Sequence, residues 1–431
     1  MRTNKKIDFA LFFLVSQVKW RTLFCMTIVC SAEKSKKVAF SSRQKKDALE
    51  VRFVAVDELS EFDTPASVYF QRSYLKSVSA NDTDGLRHIF PMVYFNGSLI
   101  AYGAFCLLRR EKTQFVQRVL EQGNTGRFWN QTLSSVLPLF LGTCDSEMQI
   151  LIAGNMLVSG PFGLHFCSPF DAAFQTRVWA AVLKSVENEF GSLSLTVLKD
   201  FCNSPDTMSC PSLPGFFNVS TLPLMQISLN PNWRGFSDYL NAMAAKYRIR
   251  ARAALNKASS LSTEYWDAKQ IRSNMDAIQS LYLEVYQRAK FRIQPVSPEY
   301  IPSLANEMGN EAFRFIAWKD GDKLIGFSTA FFYSNRLDAH LIGLDYSYNK
   351  SHSLYLNMIY RYIQDALELG ADLVDFGRTA MEIKSTAGAV PQDLGVLIRL
   401  HSKLGNKLAA HISSKMQAEP WIQRHPFKTT A

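Results

Sequence analysis

The sequence has few of the patterns that mark metal sites or covalent nucleophiles. Its seven cysteines form no CxxC or Cys/His pattern with metal-ligand spacing, and no Ser/His/Asp or Cys/His catalytic arrangement is readable. We therefore expect no metal. An odd number of cysteines scattered among apolar residues favours reduced thiols, and with them a cytoplasmic protein.

A membrane-spanning segment is also missing from the sequence pattern. The apolar runs 10–18 and 23–30 are separated by Lys19, Trp20 and Arg21, and neither approaches the roughly 18–20 residues that a spanning helix needs. Residues 1–50 carry eleven Lys and Arg against four Asp and Glu, which is +7 of the total net charge of +10. We interpret them as a basic tail that is either disordered or the product of a start site upstream of Met26.

The remaining chain is large and rich in core-forming residues. With 431 residues and 47% hydrophobic content, it can form two domains of ordinary size. Its residual positive charge fits an acidic partner, such as a nucleotide, a phosphate ester, tRNA or an anionic membrane, without selecting one.

Two sequence features recur in the same order along the chain. Phe90–Phe105 and Phe313–Phe331 each read as strand, polar turn and strand, while Val186–Asp200 and Gln364–Arg378 each read as helix end, glycine and strand. We therefore predict an α/β (α+β) fold of two tandem domains, each a mostly antiparallel sheet flanked by helices. The predicted parts are an N-terminal domain at 51–222, a C-terminal domain at 223–410 and a tail at 411–431.

The most informative stretch is Gly370–Pro391. Gly370 ends a long amphipathic helix, a short buried strand follows, and Asp375 and Arg378 lie at its C-terminal edge with Lys384 about two turns later. Open α/β sheets bind ligands at this edge, so these three residues are candidate ligand contacts. The alternative is that Asp375 and Arg378 only pair with each other to fix the turn.

A basic helix is predicted at Phe236–Ala258. Within it, Lys246, Tyr247, Arg248 and Arg250 are candidates for gripping the phosphates of a nucleotide-linked substrate or of tRNA. Because the spacing distributes the cations around much of the helix, some of them are expected to be ordinary solvated charges.

These motifs resemble those of the FemAB-like group of GNAT-superfamily acyltransferases. The resemblance rests on DFGRT at Asp375–Thr379 with Lys384 and a G-x-x-P at Gly388–Pro391, on the KYR-rich helix at Lys246–Ala258, and on Ala153–Gly163. It covers nearly all of the chain outside the tail. It implies tandem GNAT-like domains and an N-acyltransferase that moves an acyl or aminoacyl group from acyl-CoA or aminoacyl-tRNA to an amine. The implied acceptor is a small molecule or a nucleotide-linked one, such as a cell-envelope (peptidoglycan) precursor.

The resemblance also suggests roles for individual residues. Asp345 and Tyr348 are candidates for proton transfer, and Arg378 for stabilising a phosphate or a developing oxyanion. Candidate donor-binding positions lie in the loops after the fourth strand of each domain: Gly160, Gly163, Lys350 and Ser351. Neither loop has the complete G-x-G-x-x-G pattern, which weakens the expectation of ordinary acetyl-CoA binding. His340, in an alternating strand, is interpreted as a packed or surface histidine.

Two other functions stay open at this point. The incomplete donor loops favour a catalytically inactive double-GNAT protein that binds a nucleotide-linked or anionic partner, whereas the polar cluster of Asp375, Arg378 and Lys384 favours an enzyme. Primary RNA binding would rest on positive charge alone, and the modest charge of the folded part weakens it.

Overall fold

The structure, a computed structural model, describes residues 49–59, 67–83, 85–113, 146–202, 211–289, 294–414 and 421–428. Within these ranges it contains two mixed sheets with helices packed on them. The predicted basic tail at 1–50 lies outside the described residues, except for its last two positions.

Among its described residues, the first half of the chain has eight strands and two α-helices: β1 (Leu49–Val54), α1 (Arg72–Ser79), β2 (Leu86–Phe95), β3 (Ser98–Gly103), β4 (Phe105–Glu111), β5 (Glu147–Ala153), β6 (Leu164–Phe166), α2 (Ala172–Phe190), β7 (Leu195–Cys202) and β8 (Phe217–Ser220). The predicted hairpin forms across Asn96 and Gly97, whose φ angles of 51° and 84° match the twist of a two-residue turn. Asp171 caps α2 by accepting from the Phe174 N–H at 2.7 Å.

The second half supplies the remaining elements: β9 (Leu224–Ser228), α3 (Phe236–Ala242), α4 (Ala245–Lys257), β10 (Ser262–Tyr265), α5 (Ala268–Ser273), α6 (Met275–Arg288), α7 (Tyr300–Ala312), β11 (Phe313–Asp320), β12 (Lys323–Tyr333), β13 (Arg336–Leu344), α8 (Tyr346–His352), α9 (Leu354–Glu368), β14 (Leu373–Asp375), α10 (Met381–Thr386), β15 (Val390–Gln392), β16 (Leu394–Leu400) and α11 (Lys403–Ser413). The predicted single helix at 236–258 is two helices, because Met243 is extended (ψ 145°) and pairs with Phe427.

The two sheets repeat one topology. β3 and β4 continue each other along β2, so the first sheet reads β1, β2, β3/β4, β5, β7, β16, β8, with β6 added at the edge of β3. The second sheet reads β10, β11, β12, β13, β14, β9, β15. Neighbouring strands pair in the same direction at every equivalent position of the two sheets. Each sheet has one parallel pair, β5 with β7 in the first and β13 with β14 in the second. The predicted fold class, two tandem units of mostly antiparallel sheet, is confirmed.

By the repeated strand order, β1–β9 form the first repeat and β10–β16 the second, and each repeat supplies its last strand to the other repeat's sheet. β9 follows β8 after three residues but lies between β14 and β15 in the second sheet, paired with both. β16 follows β15 after Asp393 but lies between β7 and β8 in the first sheet. The two exchanged strands occupy equivalent positions. The last strand of the second repeat thus completes the N-terminal sheet, and the last strand of the first repeat completes the C-terminal sheet.

This exchange corrects the sequence-based division of the chain. The range 223–410 does not form one separate domain, since Leu394–Leu400 belongs to the first sheet and α11 packs beside it. The predicted C-terminal tail is also partly built into the fold: Phe427 packs in the cluster that contains Tyr239 and Met243. We refer below to the N-terminal and C-terminal sheets rather than to domains.

The two halves share a hydrophobic core as well as strands. Tyr69, Phe70 and Tyr74 of the first half pack in one cluster with Phe313 and Phe331 of the second. Tyr69 and Tyr74 each make edge-to-face contacts with the Phe331 ring. Because burial of aromatic rings dominates such interfaces, the junction between the sheets is a continuous core and not a solvated gap.

Candidate active site

A line of polar side chains follows β13 at the junction of the two halves. Arg336, Asp338 and His340 alternate along the strand and therefore share one face. Asp338 is buried and accepts hydrogen bonds from the Tyr69 hydroxyl at 2.9 Å and the Tyr333 hydroxyl at 2.8 Å. Tyr69 comes from the first half, so this carboxylate joins the two halves through a polar contact.

Asp375 lies beside Asp338 on the neighbouring parallel strand. Arg336 bridges the two carboxylates, with Nε 2.8 Å from Asp338 and Nη2 3.1 Å from Asp375. Asp375 also accepts from the Gln226 amide at 2.8 Å and the Gly377 N–H at 2.7 Å. Burial, reinforced by the charge of Asp338, raises the pKa of Asp375 to about 6. This carboxyl group can therefore exchange a proton near neutral pH.

Lys384 shapes the turn that follows Asp375. Its buried ammonium donates to the carbonyls of Phe376 at 2.6 Å, Gly377 at 3.2 Å and Arg378 at 2.6 Å. Burial lowers the pKa of Lys384 to about 7, against the opposing effect of the Asp375 charge. All three of its donors are used on the backbone, so in this structure the side chain holds the turn rather than an open ligand site.

Arg378 connects this turn to the N-terminal sheet. Its Nη2 pairs with Asp200, which is fully buried at the end of β7. Asp200 also accepts from Lys199 Nζ at 2.6 Å and from the Gly160 N–H at 3.0 Å. The alternative interpretation, in which Arg378 only pairs with Asp375, is not what the structure shows. Within the described ranges, the buried Arg378 Nε has no hydrogen-bond partner.

The backbone is strained where these side chains meet. Asp200, Thr379 and Ala380 adopt left-handed φ angles of 65°, 67° and 47°. Residues other than glycine rarely take this conformation, which costs on the order of 1–3 kcal/mol each and is concentrated at active sites and ligand clamps. We use the name junction network for the polar set at this point: Tyr69, Lys199, Asp200, Arg336, Asp338, Asp375, Arg378 and Lys384.

His340 is packed rather than free. Its Nε2 lies 2.9 Å from the Tyr300 hydroxyl, and its ring lies against Phe331. Burial lowers the pKa of His340 to about 3, so the imidazole is neutral at physiological pH. Its Nδ1 has no hydrogen-bond partner in the part of the chain that the structure describes.

The residues predicted on the loop after β13 lie on α8 and do not contact the junction network. Asp345 is the N-cap of α8, accepting from the Ser347 N–H at 3.0 Å and from Lys323 at 3.0 Å. Partial burial acts in the opposite direction, but these hydrogen bonds lower the pKa of Asp345. Tyr348 donates to Asp320 at 3.1 Å. Lys350 and Ser351 are exposed at the end of the helix. Their predicted roles stay predictions.

The predicted basic cluster lies on α4, also apart from the junction network. Lys246 and Arg250 are exposed, Tyr247 packs partly into the core, and Arg248 donates to the Met243 carbonyl at 3.0 Å. The hydrogen bonds of Arg248 go to carbonyls just before its own helix and not to the DFGRT turn, whereas Tyr247 packs in the cluster that contains Phe376.

The two predicted glycines lie near the junction. Gly160 has a φ of 145°, and a Cβ there would lie 2.4 Å from the Phe162 ring. A Cβ on Gly163 would lie 2.8 Å from Trp179. Both positions need glycine for packing, and the Gly160 N–H is used by Asp200. A ligand phosphate would have to displace this carboxylate to reach that amide.

Sequence reasoning missed Asp338, Arg336, Asp200 and Tyr69. One signal for the first two was present, because Arg336, Asp338 and His340 give β13 an unusually polar face for a strand in the middle of a sheet. Asp200 ends the repeat unit that is equivalent to the one ending at Arg378. The two repeat ends contact each other, as expected near an approximate two-fold axis.

No group of three or more His, Cys, Asp or Glu residues in the described ranges has metal-site geometry. Among the same residues, none of the helices combines the length and the apolar character that crossing a bilayer requires.

Part of the sequence that forms the junction network matches a known family. Residues 245–385, about a third of the chain, match the family described as Acetyltransferase (GNAT) domain. This range contains Arg336, Asp338, Asp375, Arg378 and Lys384. The match spans β10 to β14 of the C-terminal sheet, and the N-terminal sheet repeats the strand order of that sheet.

Solved structures with a similar chain course are distant in sequence. One is FemX, with a TM-score of 0.46 and 11% identity, covering 83% of this chain and 99% of that one. Another is a tandem GNAT protein from the clavulanic acid biosynthesis pathway, with a TM-score of 0.44, 10% identity and coverages of 81% and 98%. A third is L-PGS from Bacillus licheniformis, with a TM-score of 0.41, 13% identity and coverages of 70% and 97%. A comparison with curated proteins gives no match.

Proposed function

We propose that the protein is an N-acyltransferase whose reaction takes place at the junction network, on the C-terminal sheet. The observation that carries this proposal is that one strained turn holds two groups three positions apart: the Asp375 carboxyl group, whose pKa burial raises to about 6, and the buried Arg378 Nε, which has no hydrogen-bond partner within the described residues. These groups lie inside the range that matches the GNAT acetyltransferase domain.

The geometry of the two sheets favours the C-terminal one. β13 continues to Leu344 beyond its last pairing with β14 at Asp338, which leaves a separation between the two strands. In the N-terminal sheet, β5 ends at Ala153, and the turn beyond it is tied to β7 by Lys199 and Asp200. An acyl donor therefore has more room between β13 and β14.

In the proposed reaction an amine nitrogen attacks the acyl carbonyl carbon. The new N–C bond forms as the bond to the donor breaks, a thioester C–S bond for acyl-CoA or an ester C–O bond for aminoacyl-tRNA. Asp375 accepts the amine proton, and Arg378 donates to the developing oxyanion. The leaving thiolate or alkoxide takes up a proton from solvent and becomes the free thiol or hydroxyl group. We propose the cytoplasm as the compartment, because both donors are made there.

A second function has one observation in its favour. The amides at the start of α2 and α8 are occupied by the protein's own carboxylates, Asp171 and Asp345. A pyrophosphate that bound at either helix start would have to displace them. In a protein that binds a nucleotide-linked or anionic partner elsewhere and catalyses no reaction, Asp171 and Asp345 would remain as the caps of these two helices.

Thermal unfolding of the full chain with candidate donors tests these alternatives. Acetyl-CoA, free CoA, a long-chain acyl-CoA and aminoacyl-tRNA are each added at about a hundred times the dissociation constant, where binding adds about 2.7 kcal/mol. A shift with a CoA compound identifies an acyl-CoA donor, and a shift with charged tRNA alone identifies aminoacyl transfer. Transfer of labelled acyl group to an amine must then follow. Binding without transfer would support the second function.

Arg378→Ala tests the site itself. We expect a loss of about 100-fold or more in kcat/KM, as for removal of one oxyanion donor, with the melting temperature within a few degrees of the parent. Arg272→Ala is the matched control, because it removes an exposed ion pair to Glu299 elsewhere. A collapse of the fold in Arg378→Ala would instead make the arginine a structural tie to Asp200.

A further inference from the structure

The outer face of α4 is a cationic surface that the junction network does not use. The helix contains five Lys and Arg and no acidic residue. Within the described residues, Lys246, Arg250, Arg252 and Lys257 form neither an ion pair nor a side-chain hydrogen bond, and all four are exposed. The opposite face is anchored, since Ala251 and Ala254 are buried and the Ala254 carbonyl accepts from Asn357 at 2.9 Å.

The centre of this face is uncharged. Ile249, Ala253 and Asn256 are exposed at spacings of four and three, so they form one line along the helix. Ile249 is 66% exposed, among the most exposed of the large hydrophobic side chains that the structure describes. Lys246, Arg250 and Lys257 flank this line on one side and Arg252 on the other. An uncharged line that carries an exposed isoleucine and has cations on both sides is the pattern of a helix that lies in a lipid–water interface.

The cations continue beyond the helix. Arg248 Nη1 and Lys428 Nζ both point at the Asn241 carbonyl, at 3.5 and 2.9 Å. Two positive groups thus converge without a carboxylate between them. Such an arrangement is favourable when an anionic group of a partner approaches, because like charges otherwise repel.

We propose that this face, defined by Lys246, Ile249, Arg250, Arg252 and Lys257 with Arg248 and Lys428 beside it, docks the protein on a membrane surface rich in anionic phospholipid. The cations bind headgroup phosphates, and Ile249 enters the boundary between the headgroups and the acyl chains. A membrane is favoured over RNA because the central position is held by an exposed isoleucine, whereas single-stranded RNA sites present aromatic rings for stacking.

Vesicle binding by the full chain tests the charged part of the surface. The parent protein is expected to sediment with vesicles of mixed phosphatidylcholine and phosphatidylglycerol, but not with phosphatidylcholine alone. Each basic residue near an anionic surface contributes about fivefold in affinity, so Lys246→Glu/Arg250→Glu should bind at least about 25-fold more weakly. Lys184→Glu/Lys269→Glu reverses two exposed charges on other helices and should bind like the parent.

A local probe separates this face from the basic N-terminal residues, which also attract anions. The Ile249→Trp variant adds tryptophan fluorescence at this position, and brominated phosphatidylglycerol should quench that fluorescence. Leu404→Trp, at a position that is also 66% exposed but lies on α11, should not be quenched. Absence of quenching at position 249, or equal quenching at both positions, would overturn the proposal.

A tRNA gel shift with the same variants completes the test. The proposal predicts that Lys246→Glu/Arg250→Glu loses vesicle binding and that Ile249→Asp loses it too, although this second change leaves the helix cations in place. If the double variant lost tRNA binding and kept vesicle binding, the face would be an RNA-binding surface and the membrane proposal would be wrong.

Discussion

The N-terminal and C-terminal sheets share one strand order but differ where their parallel strands separate. In the N-terminal sheet Lys199 donates to the Val158 carbonyl at 2.6 Å, and Asp200 accepts from the Gly160 N–H. The loop that follows β5 is therefore bonded to β7 where the two strands separate. In the C-terminal sheet Lys384 instead holds the turn after β14, and β13 runs on beyond its partner. The same topology thus supports a closed end in one half and, in the reaction that we propose, the reactive end in the other. We infer that the N-terminal half has become the support for the C-terminal one.

The largest expected effect comes from separating the two halves. Residues 1–222 expressed alone lack β16, the strand between β7 and β8, and we expect no cooperative unfolding transition in circular dichroism. Co-expression with residues 223–431 should restore one, since the missing strand returns. A stable, cooperatively melting fragment 1–222 would show that the N-terminal sheet is complete without the exchange.

The two buried lysines give a second comparison. Lys384→Met removes three hydrogen bonds to backbone carbonyls and should lower the free energy of unfolding by about 3 kcal/mol, as well as abolishing transfer. Lys199→Met removes the hydrogen bond to the Val158 carbonyl and the ion pair with Asp200, but Asp200 keeps Arg378 as a partner, so activity should persist. Urea unfolding and the transfer assay measure the two quantities. Equal activity losses would argue against a reactive end confined to the C-terminal sheet.

The pH dependence of transfer should be set by two groups of the C-terminal half, Asp375 and Lys384. The rate should rise as Asp375 loses its proton through pH about 6, because only the carboxylate accepts a proton from the amine. It should fall as Lys384 loses its proton through pH about 7, because the neutral amine can no longer donate to all three carbonyls. A narrow bell-shaped profile is therefore expected.

Two variants identify the acid limb of that profile. Asp375→Asn should remove it together with most of the activity. Asp345→Asn should leave it in place, because hydrogen bonds lower the pKa of Asp345 and keep this group ionised through the neutral range. An acid limb that moved in Asp345→Asn would assign the base to α8 instead.

The smallest effect is expected on α8. Asp345→Ala removes an N-cap and should lower the free energy of unfolding by about 1 kcal/mol, with kcat nearly unchanged. A large fall in kcat without a loss of stability would restore Asp345 as the catalytic residue that the sequence suggested.

Local patterns predicted much of the fold and part of the site. The turns at Asn96–Gly97 and Gly321–Asp322, the helices before Gly191 and Gly370, and the internal repeat follow from periodicity and from residues that favour turns. The cluster of Asp375, Arg378 and Lys384 was found because it follows a buried strand in sequence. These features depend on residues close together in the chain.

The remaining features depend on contacts between distant residues. β9 and β16 read as strands, but a period of two does not say which sheet a strand joins. Tyr69 reaches Asp338 across 269 positions and Asp200 reaches Arg378 across 178. Charged residues on a half-buried strand are common, so the sequence alone does not mark Asp338 as a site residue. Its hydrogen-bond partners in the structure do.

The exchanged strands also describe how such a chain could have arisen. If a single ancestral unit donated its seventh strand to a second copy, and received that copy's strand in return, the result would be a swapped homodimer. The links at 221–223 and at Asp393 would then be the arms that crossed between subunits. Joining the two copies end to end makes the exchange internal. One copy is then free to lose its chemistry while its strand remains indispensable to the other.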